Sequence, residues 1–208
     1  MAEQGFREIE GGLLVARGFV ASAVEAGIKP EGPDMLLLHS RVSACAAATI
    51  TTNAFRAAPT FVTESHVADG RARTIVANSG NANAATGEQG MANARRMAEL
   101  TALTAQVPVD EVLVCSTGRI GIQLPMERVE AAIPRLCRTL NRDCAAEAAR
   151  AIMTTDTVPK QCAVELEVGG KRAHIGAIAK GAGMICPNMA TMLCFIATDV
   201  AITPELLR

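Results

Sequence analysis

The segment KGAGMICPNMATML, residues 180–193, holds the residue types best suited to covalent chemistry. Lys180 leads a glycine-rich turn, Pro187 and Asn188 punctuate it, and Thr191 opens an apolar run. A hydroxyl at such a loop–strand junction can attack the carbonyl before it, here that of Ala190, in an N→O acyl shift. Hydrolysis of the resulting ester frees Thr191 as a new N-terminus. Its amine, with an ordinary pKa of about 7.7–8.0, can then serve as base for its own hydroxyl. Spacing alone leaves Thr191 equally readable as an ordinary loop threonine.

Three further polar clusters follow apolar or helical stretches. STGRIG at 116–121 places small residues where backbone N–H groups can approach a ligand oxygen, as an oxyanion hole requires, or where the chain simply turns. MTTDT at 153–157 concentrates hydroxyls behind a helix, as a substrate clamp or a capped helix end would. NSGNANAATG at 78–87 sits between a strand and a helix, like a phosphate-cradling loop. It carries neither GxGxxG nor GxxxxGK[ST], so a tight turn with Asn side chains bonding the backbone is the favoured reading. His39, His66 and His174 are far apart in sequence and read as structural or surface residues. No HExxH spacing occurs, and neither metal nor cofactor is expected.

These clusters need elements to hold them. Residues 28–34, IKPEGPD, form a loop, and MLLLH (35–39), ATITT (48–52), TIVAN (74–78) and EVLVCS (111–116) read as buried strands. Thr86 and Gln89 have capping-box spacing, with Met91, Ala94, Ala98 and Ala102 as the helical stripe up to Pro108. A second helix begins at Pro125 with the stripe Met126, Val129, Ile133 and Leu136, and Pro134 is expected to bend or interrupt it. Asp143 is the expected N-cap of a third helix running to Met153. QCAVELEV and KRAHIGAIA flank Gly169-Gly170 as a hairpin, and TMLCFIAT (191–198) is a last strand. Helices interleaved with an antiparallel hairpin predict an α/β fold with mixed sheets.

Composition narrows the function. With 208 residues and no linker, the chain reads as one domain, 1–208. Twenty basic and 21 acidic residues give a net charge of −1, which argues against nucleic acid as a partner. Five Phe with no Tyr or Trp leave little for base stacking. The seven cysteines are scattered without a CxxC pair, as in a reducing compartment. No signal peptide or membrane-spanning run is visible, so the expectation is a soluble cytoplasmic protein.

KGAGMICPNMATML also resembles the self-cleavage segment of the bifunctional ornithine acetyltransferases, the glutamate N-acetyltransferases of cyclic arginine biosynthesis. The likeness continues through GFVASAVEAGIKPEGPD, TTNAFRAAP, ANSGNANAATGEQG, STGRIG, LPMERV and AIMTTDTVPK, in order, across nearly all of the chain. The resemblance implies acetyl transfer from N2-acetylornithine to glutamate, in some members also from acetyl-CoA. It implies cleavage between Ala190 and Thr191, with Thr191 then carrying the acetyl group. Thr117 and Gly118 match the oxyanion-hole pair; Thr154 and Lys180 match substrate-contacting positions, with Thr155 an alternative to Thr154. The fold implied is a sandwich of two mixed β-sheets between helical layers, related in chemistry to N-terminal-nucleophile hydrolases.

Two departures stand out. Arg119 replaces the valine usual after STG, and only residues 191–208 follow the cleavage position, whereas family precursors run to about double this length. Residues 1–190 thus match the α chain and 191–208 the start of β, with the remaining β chain the expected partner in an α2β2 heterotetramer. Amide hydrolysis by the same threonine, or a non-catalytic fragment that binds a β chain, are the competing readings.

Overall fold

The computed structural model describes residues 5–181, Gly183, Met189 and residues 192–208. In chain order the elements are β1 (Phe6–Glu8), β2 (Phe19–Val24), β3 (Met35–Cys45), α1 (Ala58–His66), β4 (Arg71–Asn78), α2 (Gly87–Ala105) and β5 (Val112–Ser116). There follow α3 (Met126–Arg138), α4 (Ala145–Ala151), β6 (Lys160–Val168), β7 (Lys171–Lys180), β8 (Leu193–Thr198) and α5 (Pro204–Leu207). The first sheet has the order β2-β3-β4-β5 and is mixed, its β4–β5 pair being parallel. The second has the order β1-β6-β7-β8 and is antiparallel throughout.

Apolar runs explain the layering. In β3, Met35 and Leu37 face α1, α2 and α3, while Leu36 and Leu38 face the second sheet. A strand covered on both sides reads as a continuous hydrophobic run, as MLLLH does. The inter-sheet core adds Leu13 and Leu14 from a short 3-10 turn, Ala148, Ala149 and Ile152 from α4 and its end, and Ile178 and Phe195 from the second sheet. α1 closes the free edge of β5. The Thr63 hydroxyl lies 2.7 Å from the Val114 carbonyl oxygen and 2.8 Å from its nitrogen, and His66 Nδ1 lies 2.7 Å from the Val112 oxygen.

The opposite face of the second sheet is different. Register places Cys162, Val164 and Leu166 beside Ala177, Ile175 and Ala173, and these beside Ile196 and Thr198. Ile196 is 66% exposed there, and Cys162 and Cys194 are exposed too. Among the described residues, the extensive helical layer covers the first sheet only.

Local expectations fared unevenly. The hairpin forms as read, with Gly169 and Gly170 at φ 58° and 73°, the left-handed pair such a two-residue turn demands. Residues 48–52 are not a strand: β3 continues to Cys45, whose partner Arg71 is the first residue of β4, so nothing remains for them to pair with. Thr86 stands at the N-cap of α2 without closing a capping box, because its hydroxyl donates to Asn83 Oδ1 at 2.8 Å. Pro134 does not interrupt α3; the fully buried Val129, Ile133 and Leu136 hold the helix through it. The third helix is only Ala145–Ala151, capped by Cys144. Asn141, bridged to Ala21, accepts the Asp143 amide at 2.8 Å and keeps that residue outside it.

Candidate active site

The last pair of the parallel β4–β5 ladder is Asn78 with Ser116, so the loops that follow both strands leave the same sheet edge. They are stitched together. Thr117 N–H donates to the Asn78 carbonyl at 3.0 Å, Ala82 N–H to Arg119 at 2.9 Å, and Gly121 N–H to Ala84 at 2.9 Å. The buried Asn side chains face inward to the same end. Asn78 Nδ2 donates to the Asn81 carbonyl, Asn81 Nδ2 to those of Ile122 and Gln123, and Asn83 Nδ2 to that of Gly90. NSGNANAATG is therefore a brace for STGRIG, and its Asn side-chain amides are spent on backbone carbonyls, as in the tight-turn reading.

The brace dictates Gly118. Its φ is +132°, and a Cβ added there would lie 2.5 Å from the Asn81 nitrogen. Thr117 beside it is 1% exposed. Its amide is committed to the Asn78 carbonyl. The Gly118 amide donates to no described residue. Arg119 is fixed through its backbone while its side chain is exposed.

A second wall approaches from the 26–34 loop. Buried Asp34 shapes it by accepting the amides of Ala26, Ile28 and Lys29 at 2.7, 2.5 and 2.9 Å. The Lys29 stem lies against Gly80, where an added Cβ would meet its Cγ at 2.8 Å, and its ammonium donates to the Met153 carbonyl at 3.2 Å. Burial lowers the Lys29 pKa, against the opposing pull of Asp34. The Ser79 hydroxyl donates to the Ala151 carbonyl at 2.6 Å. The end of α4 and the MTTDT turn are thereby fastened to the braced loops.

The MTTDT turn in turn carries the end of β7. Asp156 accepts the Gly181 amide at 2.7 Å and the Lys160 ammonium at 2.6 Å. Burial pushes the Asp156 carboxyl up, but bonds from Lys160, Gly181 and Thr154 outweigh it and hold the group below its ordinary range. Lys180 is 2% exposed. Burial lowers its pKa, Asp156 opposes the shift, and Lys160 adds to it. Lys180 pairs with Leu193, the first residue of β8.

One continuous wall thus runs from Thr117 and Gly118 through Gly80, Lys29 and Met153 to Thr154, Asp156 and Lys180. Thr154 is half-buried in it and Thr155 exposed. Ala190 and Thr191 lie outside the described residues. Lys29, Asp34, Asp156 and Lys160 were not singled out from sequence; the one available signal was their position within or beside loops already marked by Gly, Pro and hydroxyls. The histidines stay apart: His39 bonds Thr74, His66 bonds the β5 edge, and His174 bonds Asp199. Burial pushes the Cys115 thiol up to about 12, which keeps it protonated and a poor rival nucleophile.

Fold and site together define the class: a two-sheet α/β sandwich with a polar site built by loops at the ends of two parallel strands. The chain belongs to the ArgJ family, whose model matches residues 20–208. It is 49% identical over 203 residues to the arginine biosynthesis bifunctional protein ArgJ of Symbiobacterium thermophilum, covering 96% of this chain and 50% of that protein. The chain spans about half the length of the curated relatives it matches. Two crystal structures share the fold at 35% identity, each covering 90% of this chain. One is the arginine biosynthesis bifunctional protein ArgJ of Bacillus halodurans, with a TM-score of 0.84 and 98% of that chain covered. The other is ornithine acetyltransferase of Mycobacterium tuberculosis complexed with ornithine, with a TM-score of 0.82 and 100% covered.

Proposed function

We propose that this chain is the α part, with the start of β, of a cytoplasmic enzyme that transfers an acetyl group from N2-acetylornithine to glutamate. The observation that carries the reading is the wall itself. It sets a braced threonine–glycine pair with a donor-ready amide and, further along, a buried lysine and threonine hydroxyls into one continuous surface. Family membership and the ornithine complex of the M. tuberculosis relative support the substrate class.

In this mechanism Thr191 attacks the Ala190 carbonyl once, and hydrolysis of the ester leaves a free N-terminal Thr191. Its hydroxyl then attacks the acetyl carbonyl of acetylornithine while its amine takes the hydroxyl proton. The Gly118 amide and Thr117 hydroxyl receive the developing oxyanion. Collapse breaks the amide C–N bond, the proton passes to the departing ornithine amine, and an acetyl ester remains on Thr191. Glutamate reverses these steps and leaves as N-acetylglutamate. Lys180 supplies a cation for a substrate carboxylate, and Thr154 a hydroxyl that can donate or accept.

The rest of the β chain is the proposed partner, two αβ units forming an α2β2 assembly. Cleavage before Thr191 leaves the pieces joined, because β8 stays paired with β7 from Lys180↔Leu193 to Ile175↔Thr198. The apolar outer face of the second sheet, with Ile196 66% exposed, is a surface for that remainder to cover. The test is acetyl transfer by the complete gene product, alongside its intact mass. Expected are two pieces divided at 190/191 and acetylglutamate formed from acetylornithine, with acetyl-CoA tried as a second donor. Release of free acetate without transfer to glutamate would replace this reading by hydrolysis.

A further inference from the structure

Between Lys180 and the Thr154 turn lies a carboxylate to which the acetyl-transfer mechanism gives no part. The Asp156 side chain is 2% exposed, while its partner Lys160 is 49% exposed. A buried carboxylate is tolerated only where charge and hydrogen bonds compensate it. Here Oδ1 receives the Lys160 ammonium and the Gly181 amide, and Oδ2 lies 3.4 Å from the Thr154 nitrogen. Next to these, an added Cβ at Gly183 would lie 2.8 Å from the Thr155 hydroxyl oxygen. Residues 181 and 183 therefore rest on the 155–156 turn. That turn is itself anchored from behind by Lys29 on the Met153 carbonyl.

We propose that Asp156 is a positioning residue: its carboxylate fixes the chain leaving β7 against the Thr154 and Thr155 turn, and keeps Lys180 a cation presented to the substrate's carboxylate. The second half of this proposal rests on the acetyl-transfer reading; the first half does not. Lys180 feels Asp156 and Lys160 as its charged neighbours, and burial disfavours its ammonium form. Neutralising Asp156 removes an influence that favours the ammonium. Lys180 then loses its proton at lower pH, and substrate binding fails earlier on the alkaline side.

Two variants of the complete gene product separate these roles. Asp156→Asn keeps an oxygen for Gly181 but no charge; Asp156→Ala keeps neither. Hydrogen exchange at the Gly181 amide is expected to quicken about tenfold or more in Asp156→Ala, which removes the acceptor, and by no more than about threefold in Asp156→Asn, which keeps an uncharged one. In Asp156→Asn, KM for acetylornithine should begin to climb at a lower pH than in wild type on the alkaline side, with the pH-dependent change carried by KM and not by kcat. A uniform rise in KM at every pH, or an alkaline limb that does not move, overturns the part assigned to Lys180. Unchanged Gly181 exchange in Asp156→Ala overturns the clamp; should that variant unfold, Asp156→Asn decides it, faster exchange at Gly181 supporting the clamp and exchange equal to or slower than wild type overturning it. If wild type transfers no acetyl group, the acetyltransferase reading falls, and Gly181 exchange alone decides the clamp.

Discussion

Gly118→Ala probes the braced loop without requiring activity. The added Cβ would lie 2.5 Å from the Asn81 nitrogen, and the backbone at φ +132° is one that L side chains rarely adopt. Holding alanine there costs about 1–3 kcal/mol in backbone strain. The contact is far inside ordinary packing distance, so one of the two loops must also move. Either movement strains the Ala82–Arg119 or Thr117–Asn78 bonds, worth about 0.5–1.5 kcal/mol each. A total loss of about 2–4 kcal/mol follows, which for a chain of this size lowers Tm by roughly 5–15 °C. Thermal unfolding of the variant followed by circular dichroism measures it. A Tm within a degree of wild type would show that the loops are not in contact as described, and the oxyanion assignment of Gly118 would lose its structural basis.

Other predictions follow the same geometry. Thr117→Ala in the complete gene product should lower turnover about 10²–10³-fold with little change in KM, as loss of one oxyanion donor does; turnover within a few-fold of wild type removes the hydroxyl from that role. Arg119→Ala, by contrast, should leave stability within about 0.5 kcal/mol, because the side chain is exposed; a larger loss in urea unfolding would contradict its outward placement. Burial pushes the Asp199 carboxyl up, but Arg17 and His174 more than offset this and hold it well below the usual carboxylate range. Its contribution is therefore present above an ordinary pKa of about 3.9 and is lost as pH falls through the lower folded value. Asp199→Asn should be less stable than wild type at pH 7, with the gap closing progressively below about pH 4; a pH-independent gap would refute the charge argument. Finally, in the 208-residue chain a thiol reagent should modify exposed Cys162 readily, Cys194 more slowly because burial and Cys162 push its thiol up, and Cys115 hardly at all; the proposed β-chain remainder should protect the first two. Equal labelling with and without that remainder would count against its covering the outer sheet face.

Patterns carried by many residues were legible in the sequence. The β6–β7 hairpin shows two alternating runs about a Gly-Gly pair, and α2 shows a repeated small apolar stripe, so each survives any single local misreading. Features decided by long-range pairing were not. ATITT has strand-like residues but no partner strand, while β1, β2 and α1 carry no local signal as strong as the pairings that create them. The site divided in the same way. Thr117, Gly118, Thr154 and Lys180 stood in visible loops, and the structure joins those loops into one wall. Lys29, Asp34 and Asp156 act through backbone groups 5 to 124 positions away, and no short motif encodes such reach.

The central claim is that Thr191, freed by cleavage, carries the acetyl group beside the Thr117 and Gly118 donors. Peptide mass spectrometry of the complete gene product, quenched after brief exposure to N2-acetylornithine, tests it most directly. The expected result is a peptide beginning at Thr191 that bears one acetyl group, lost again when glutamate is added. An acetyl group on Lys180, Cys186 or Cys194, or only an uncut peptide spanning Ala190 and Thr191, would contradict it.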